Sequence, residues 1–244
     1  MRPRLVPGGV HIWMAELSGG GNWRYLSEQE QARARAVMSD RFRARFIAAR
    51  SILRQLLGRY LGKAPDRIEL RANAHGKPML AGGQAALQFN LSHTDDLLLV
   101  AFARDRAVGI DVDRLDRVGD WAGVARSSFS NCERATLELL PESLRAKALM
   151  CGWIRKEAYA KARGAGYAYG FKLFSVRLDP VGRHPVLIRD DRDAAAAGRW
   201  WTADLAVRPP LGASLAVEGR PEAILCWRFK PAQHSIECSQ EVRP

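Results

Sequence analysis

Two short stretches of this chain carry side chains whose types and spacing could do chemistry together. The segment VGIDVD, residues 108–113, places Asp111 and Asp113 at positions i and i+2. The segment WIRKEAYAK, residues 153–161, places Glu157 and Lys161 at positions i and i+4. The first pair would share one face of a strand, and the second pair would share one face of a helix. Brought together, three carboxylates and one ammonium would suit a hard divalent cation held against a diphosphate.

Each pair taken alone has a simpler interpretation. Two aspartates at i and i+2 also occur on the polar face of an exposed strand. A glutamate and a lysine at i and i+4 occur on many solvated helices, where the pair contributes only about 0.2–0.5 kcal/mol. The chemical interpretation is favoured because both pairs occur in one chain and the apolar residues 108–110 precede the first pair.

The elements that must position these residues can be predicted from periodicity and from turn residues. A strand is predicted over 10–17, and Ser27 with Glu30 forms a capping box that begins a long helix running to about Tyr60. A helical region over about 131–163, interrupted near Pro141, carries the second motif. Strands are predicted at 68–70, 87–91, 97–103, 172–178, 186–188, 200–205 and 214–217, with another carrying Asp111 and Asp113.

The two motifs together resemble the signature of the Sfp-type 4′-phosphopantetheinyl transferases. That signature reads (I/V)-G-(I/V)-D-x-(E/D) and is followed by W-x-x-K-E-A-x-x-K. Three further landmarks of the family occur upstream in the expected order: RFRARFIAAR at 41–50, GKP at 76–78 and FNLSH at 89–93. The second carboxylate of the family is most often Glu, whereas this chain has the shorter Asp113. The W-x-x-K-E-A form is similar to that of members serving secondary metabolism.

The resemblance implies an α+β fold of two similar lobes packed as a pseudo-dimer. Each lobe would be a small antiparallel sheet packed on a long helix, with the active site in the cleft between the lobes. We assign residues 1–106 to an N-terminal lobe, 107–229 to a C-terminal lobe and 230–244 to a polar tail.

The resemblance also implies an activity, which is transfer of the 4′-phosphopantetheine arm from coenzyme A to a serine of an apo acyl or peptidyl carrier protein, with release of 3′,5′-ADP. Asp111, Asp113 and Glu157 would ligate Mg²⁺, or Mn²⁺ in its place. Catalysis would use Asp111, Glu157 as general base, either directly or through a metal-bound water, and Lys161 at the departing phosphate. Coenzyme A would contact Arg50, Lys77, Pro78, Ser92, His93, Asp111, Lys156 and Lys161.

Three of these coenzyme contacts also have ordinary structural interpretations. Lys77 in a Gly-x-Pro loop could lie in a solvated turn, and His93 could cap a turn at the end of a strand. Arg50 lies one heptad after Arg43 on the predicted helix, where surface arginines are common.

Composition leaves other classes of protein open. The 244 residues carry a net charge of +12, which favours an acidic partner such as an acidic carrier protein or a nucleic acid. A basic nucleic-acid-binding protein is one alternative, although no helix-turn-helix, zinc spacing or aromatic RNA-binding pattern is evident, so we expect no nucleic-acid partner. A catalytically silent homologue that binds coenzyme A or a carrier is the other alternative.

Cysteine spacing and hydropathy predict the compartment. Cys132, Cys151, Cys226 and Cys238 form no C-x-x-C pair, as is typical of reduced thiols in a cytosolic protein. The longest apolar run, residues 97–103, is much shorter than the roughly 20 residues that span a bilayer. We therefore expect a cytoplasmic monomer without membrane contact.

Overall fold

The computed structural model describes residues 3–82, 86–117, 119–179, 186–230 and 235–242, the last range as backbone. Its helices are α1 (Glu28–Ala36), α2 (Asp40–Leu61), α3 (Trp121–Ser128), α4 (Asn131–Leu139), α5 (Glu142–Ala162) and α6 (Ala196–Arg199). Its strands are β1 (Gly9–Glu16), β2 (Leu70–Ala72), β3 (Pro78–Leu80), β4 (Leu87–Thr94), β5 (Leu97–Arg104), β6 (Val108–Arg114), β7 (Phe174–Val176), β8 (Leu187–Asp190), β9 (Trp200–Leu205), β10 (Leu211–Glu218), β11 (Ala223–Lys230) and β12 (Ser235–Val242). None of these described helices is long and apolar enough to cross a membrane.

The helix predicted from Ser27 to Tyr60 is two helices. The capping box begins α1 as predicted, since the Ser27 N–H donates to Glu30 Oε2 at 3.0 Å and the Glu30 N–H donates to Ser27 Oγ at 3.3 Å. The chain then leaves the helix after α1 and re-enters it at α2, and the Arg43 guanidinium satisfies the Val37 carbonyl at the break. The predicted interruption near Pro141 is confirmed, because α4 and α5 flank that residue.

The strands form two larger sheets and two small hairpins. The five-stranded sheet has the order β12-β11-β1-β5-β4, and the three-stranded sheet has the order β6-β10-β9. Strands β1 and β11 pair in parallel, whereas the other neighbours in both sheets pair antiparallel. The first sheet therefore joins strands from the two ends of the chain.

The α+β class is confirmed, but two equivalent lobes are not. Residues 223–230 belong to the sheet of the N-terminal half rather than to a C-terminal lobe ending at 229, and residues 235–242 form an edge strand within the predicted polar tail. An edge strand exposes one side to solvent and tolerates a polar sequence, which explains why SIECSQEV gave no strong strand signal.

The core has three parts that hold the two large sheets and the two long helices together. Helix α2 covers one face of the five-stranded sheet through residues such as Ile52 and Leu56, which belong to the same buried cluster as Phe102. The opposite face packs on the three-stranded sheet in a cluster that includes Ile12 and Ile110. Helix α5 and the short C-terminal elements form the third cluster. The two predicted motifs thus lie on β6 and α5, which are in contact.

Gly109 allows α5 to pack directly on β6. A Cβ atom at this position would lie 2.1 Å from the Ala158 carbonyl oxygen and 2.3 Å from the Ala162 nitrogen. These neighbours are backbone atoms inside a helix and cannot rotate away. The absence of a side chain at Gly109 therefore sets how closely the helix with Glu157 and Lys161 approaches the strand with Asp111.

We expect Gly109→Ala to destabilise the protein by at least about 1–3 kcal/mol, the usual cost of overpacking a core. The measurement is equilibrium urea unfolding, with Gly19→Ala as the control because a Cβ there would meet nothing within 4 Å. Equal midpoints for the Gly109 variant and the unsubstituted protein would contradict the close-packing argument.

Candidate active site

Strand β4 presents a row of polar side chains to strand β6. The Ile110 N–H donates to Asn90 Oδ1 at 2.8 Å, and Ser92 Oγ donates to Asp111 Oδ1 at 2.7 Å. Thr94 Oγ1 then donates to Asp113 Oδ1 at 3.0 Å. Because alternate residues of a strand share a face, this register holds both carboxylates from one side.

Asp111 is joined to the second motif by an ion pair. Lys161 Nζ lies 2.5 Å from Asp111 Oδ1 and donates to Ser92 Oγ at 3.1 Å. The Asp111 side chain is 8% exposed and that of Lys161 is 25% exposed, so the pair is partly shielded from water but still reachable. The two motifs therefore meet at Asp111 and Lys161.

Asp113 is held by a residue that the sequence analysis did not identify. Arg117 Nη2 lies 2.8 Å from Asp113 Oδ1, which also accepts the Thr94 hydroxyl and the Arg114 N–H. Arg117 follows the strand in a segment that is not helical, so the i and i+4 rule for helices does not predict its contact with Asp113. The alternating polar residues of FNLSHT could have indicated that Thr94 shares a face with Ser92.

Glu157 differs from the two aspartates because no hydrogen bond to its side chain is found among the described residues. Burial raises its pKa, and the charges of Asp111 and Asp113 raise it further, while Lys161 opposes this shift. Three carboxylates are therefore close enough to repel one another at one place. Glu157 is the member of this set that is best suited to accept a proton.

The charges of three cations act on His93, and we call Arg45, Arg50 and Lys161 the cation cluster. Although His93 is exposed at the surface, desolvation by the neighbouring protein lowers its pKa, and the charges of Lys161, Arg45 and Arg50 lower it further. Arg45 also pairs with Asp96 at 3.0 Å. Such a concentration of positive charge favours a polyanionic ligand such as a phosphate.

Arg50 lies on helix α2, and its charge acts on His93. Its Nε lies 3.8 Å from Glu30 Oε1, and its guanidinium lies 5.4 Å from the centre of the Phe46 ring. Its side chain is 18% exposed, so it is not a fully solvated surface arginine.

Lys77 and Pro78 lie on the β2–β3 hairpin and are not part of the cation cluster. Lys77 Nζ donates to the carbonyl oxygens of Val108 and Lys161 at 3.1 and 2.7 Å, and burial lowers its pKa to about 8. Pro78 pairs with Ala72 in the hairpin, and no hydrogen bond or ion pair among the described residues joins it to the cation cluster.

Lys156 does not lie at this site, and the prediction that it contacts coenzyme A is wrong. Its side chain is fully buried, and Nζ donates to the carbonyl oxygens of Phe171 and Phe174 at 2.9 and 2.6 Å. Nζ also lies 2.8 Å from Glu133 Oε2. Because successive residues of a helix are about 100° apart around its axis, Lys156 points into the core while Glu157 faces the site.

The described residues contain no group of three or more His, Cys, Asp or Glu side chains arranged to hold a metal ion. The donor chemistry nevertheless suits a hard cation, since Asp111, Asp113 and Glu157 offer only carboxylate oxygens. Oδ1 of Asp111 accepts hydrogen bonds from Lys161 and Ser92, and Oδ1 of Asp113 accepts hydrogen bonds from Thr94 and Arg117.

We expect Lys156→Met to lower the free energy of unfolding by about 3–5 kcal/mol, because it leaves the buried Glu133 carboxylate without its cation. Urea unfolding measures this loss, and Lys147→Met, an exposed lysine on the same helix, is the control. The folded fraction of the Lys156 variant should bind coenzyme A with unchanged affinity. A specific loss of that affinity at unchanged stability would restore Lys156 to the site.

Two family models match this chain. Residues 107–207 match the 4′-phosphopantetheinyl transferase superfamily model, and residues 21–104 match a 4′-phosphopantetheinyl transferase N-terminal model.

Individual relatives agree with the family models. The chain is 32% identical over 222 residues to the 4′-phosphopantetheinyl transferase HetI of Nostoc sp., covering 88% of this chain and 90% of that protein. It is 26% identical over 168 residues to the L-aminoadipate-semialdehyde dehydrogenase-phosphopantetheinyl transferase of Xenopus laevis, covering 65% of this chain and 56% of that protein. A solved structure, the holo-[acyl-carrier-protein] synthase of Thermotoga maritima, matches with 19% identity and a TM-score of 0.34 over 57% of this chain and 84% of that one, which is too weak to support a conclusion. The matches along nearly the full length of HetI and to both family models show that the chain belongs to the 4′-phosphopantetheinyl transferase superfamily.

Proposed function

We propose that this chain transfers the 4′-phosphopantetheine arm of coenzyme A to a serine hydroxyl of an apo acyl or peptidyl carrier protein, with release of 3′,5′-ADP. Family membership makes the chain a phosphopantetheinyl transferase. The observation that carries the mechanism is that Asp111, Asp113 and Glu157 lie beside Lys161 and the rest of the cation cluster. Carboxylates next to cations suit a reaction at a diphosphate.

Mg²⁺, or Mn²⁺ in its place, is proposed as the metal, with Asp111, Asp113 and Glu157 as its protein ligands. The charges of Asp111 and Asp113 raise the pKa of Glu157, so a divalent cation would relieve the repulsion within this set. Bound there, the ion would supply charge neutralisation for the diphosphate and its leaving group.

Glu157 is assigned as the general base for the carrier serine. Its side chain accepts no hydrogen bond from the described residues, so a carboxylate oxygen would be open to the serine hydroxyl. The serine oxygen would attack the β-phosphorus, and the bond from that phosphorus to the bridging oxygen would break. The departing phosphate oxygen of 3′,5′-ADP would be stabilised by Lys161, which lies on the same helix face.

The remaining contacts to coenzyme A are assigned to side chains around His93. Arg50 offers a planar set of donors that matches phosphate, and His93 lies among the cations that would attract the 3′-phosphate. Ser92 bridges Lys161 and Asp111 and would order both before the coenzyme binds.

The partner and the compartment follow from charge and thiols. A net charge of +12 would steer an acidic carrier protein toward the enzyme. The thiols of Cys132 and Cys151 are not in disulfides, which suits a reducing compartment such as the cytoplasm. We propose a monomer, because the carboxylates and the cations of the site all come from one chain.

The first test is the intact mass of an apo carrier protein after incubation with the enzyme, coenzyme A and Mg²⁺. We expect a gain of one phosphopantetheine group, lost with a chelator and slowed by roughly 10²- to 10³-fold or more in Asp111→Ala. Near-normal transfer by Asp111→Ala would contradict the site. Coenzyme A binding without transfer to any of several carriers would favour a silent homologue.

A second test separates coenzyme binding from chemistry. We expect Arg50→Ala to weaken coenzyme A binding by roughly ten- to hundredfold, because a hydrogen bond to a charged group contributes about 1.5–3 kcal/mol. Calorimetric titration measures the affinity, and Arg41→Ala, an exposed arginine on the same helix, is the control. Equal affinity in the two variants would remove Arg50 from the phosphate contacts.

A further inference from the structure

The loop between β2 and β3, residues 73–77, is held in one conformation by its own hydrogen bonds. Asn73 Oδ1 accepts the N–H groups of His75 and Lys77, each at 2.9 Å. The Asn73 N–H donates to the Lys77 carbonyl at 2.9 Å, and the Gly76 N–H donates to the Asn73 carbonyl at 3.0 Å. Gly76 has a φ of +82°, which a residue with a side chain rarely adopts. The loop is therefore ordered by its local sequence.

Side chains of this ordered loop donate hydrogen bonds to three backbone carbonyl groups in two other parts of the chain. Asn73 Nδ2 donates to the Gly164 carbonyl at 2.6 Å, just beyond the end of α5. Lys77 Nζ donates to the Lys161 carbonyl at 2.7 Å, in the last turn of α5, and to the Val108 carbonyl at 3.1 Å, at the start of β6. The last carbonyls of a helix lack partners within the helix and carry its negative dipole end, so an ammonium is well suited to them.

We propose that the ammonium of Lys77 is a positioning group, which fixes the end of α5 against β6 and so sets the Asp111–Lys161 pair. This inference rests on the proposed function, because it concerns alignment of that site. The two carbonyls that Lys77 bridges belong to Lys161 itself and to a residue three positions before Asp111. Any loosening at Lys77 would therefore move the ammonium relative to its carboxylate.

The surroundings of Lys77 distinguish this role from phosphate binding. Two of the three N–H donors of its ammonium are used by backbone carbonyls, and the side chain is partly buried. The cations near His93 that would meet a phosphate are Lys161, Arg45 and Arg50. Lys77 thus binds backbone groups of α5 and β6, whereas a phosphate would meet the cation cluster.

The variant Lys77→Met keeps the length of the side chain and removes its donors. We expect kcat for carrier modification to fall roughly 10- to 100-fold, as small misplacements of catalytic groups do. We expect the Kd for coenzyme A, measured by calorimetry, to stay within about twofold, since only the alignment of the site is changed. Lys63→Met, an exposed lysine in the same half of the chain, is the control and should change neither quantity.

Hydrogen exchange provides a readout that does not depend on turnover. The Gly164 N–H donates to the Lys161 carbonyl, which Lys77 also contacts. In Lys77→Met we expect faster exchange of amides near the end of α5 without faster exchange in α2. Asn73→Ala, which removes the grip on Gly164, should give the same pattern and serves if the Lys77 variant folds poorly.

Three outcomes would overturn the proposal. A tenfold or larger rise in the Kd for coenzyme A at unchanged kcat would make Lys77 a ligand contact. Unchanged kcat, Kd and exchange would leave the loop without a role. Uniformly faster exchange in both variants would mean general loss of stability rather than positioning. Absence of transfer by the unsubstituted protein would instead reject the proposed function, while the exchange data would still test the loop.

Discussion

The contact between helix α5 and strand β6 is the constraint on which the rest of the site depends. Gly109 lets the helix backbone approach the strand so closely that a Cβ atom would overlap the Ala158 carbonyl. That approach brings Lys161 to 2.5 Å from Asp111. One face of α5 can then serve the site while the adjacent face, through Lys156, is tied to Glu133 in the core. A single helix therefore supplies both the chemistry and the ion pair that anchors it.

The residues at the centre of the site were predictable because their spacing matches regular geometry. Asp111 and Asp113 share a strand face, and Glu157 and Lys161 share a helix face, as the element types predict. That the two pairs meet was implied by the family resemblance and not by the spacing. The prediction for Lys156 was wrong because it rested on the family motif alone. Its position on the helix turns its side chain away from the face that carries Glu157. The hydrogen-bond partners supplied by β4 and by Arg117 could not be predicted in the same way. The contact between β4 and β6 joins two different sheets and depends on tertiary packing.

The fold shows the same limit at larger scale. The features with strong local signals, such as the start of α1 at its capping box and β9 over 200–205, were predicted closely. The five-stranded sheet was not, because β1 and β11 pair across almost the whole chain length, and no local pattern reports such a contact. Strand β12 was missed because its polar sequence is typical of a tail as well as of a sheet edge.

The two aspartates of the site and the cation cluster are paired within the protein, whereas Glu157 has no ion pair among the described residues. Asp111 pairs with Lys161, Asp113 pairs with Arg117, and Arg45 pairs with Asp96. These pairs orient the carboxylates and the cations without requiring a ligand to be present. Under the proposed function, Asp111 would hold a metal ion and Lys161 would meet the diphosphate, so each ligand would bind one member of the Asp111–Lys161 pair. A metal ion alone would add positive charge beside Lys161, and a diphosphate alone would add negative charge beside Asp111, which is costly in a pair whose side chains are 25% and 8% exposed. The arrangement therefore favours joint binding of the metal ion and the coenzyme over binding of either one alone.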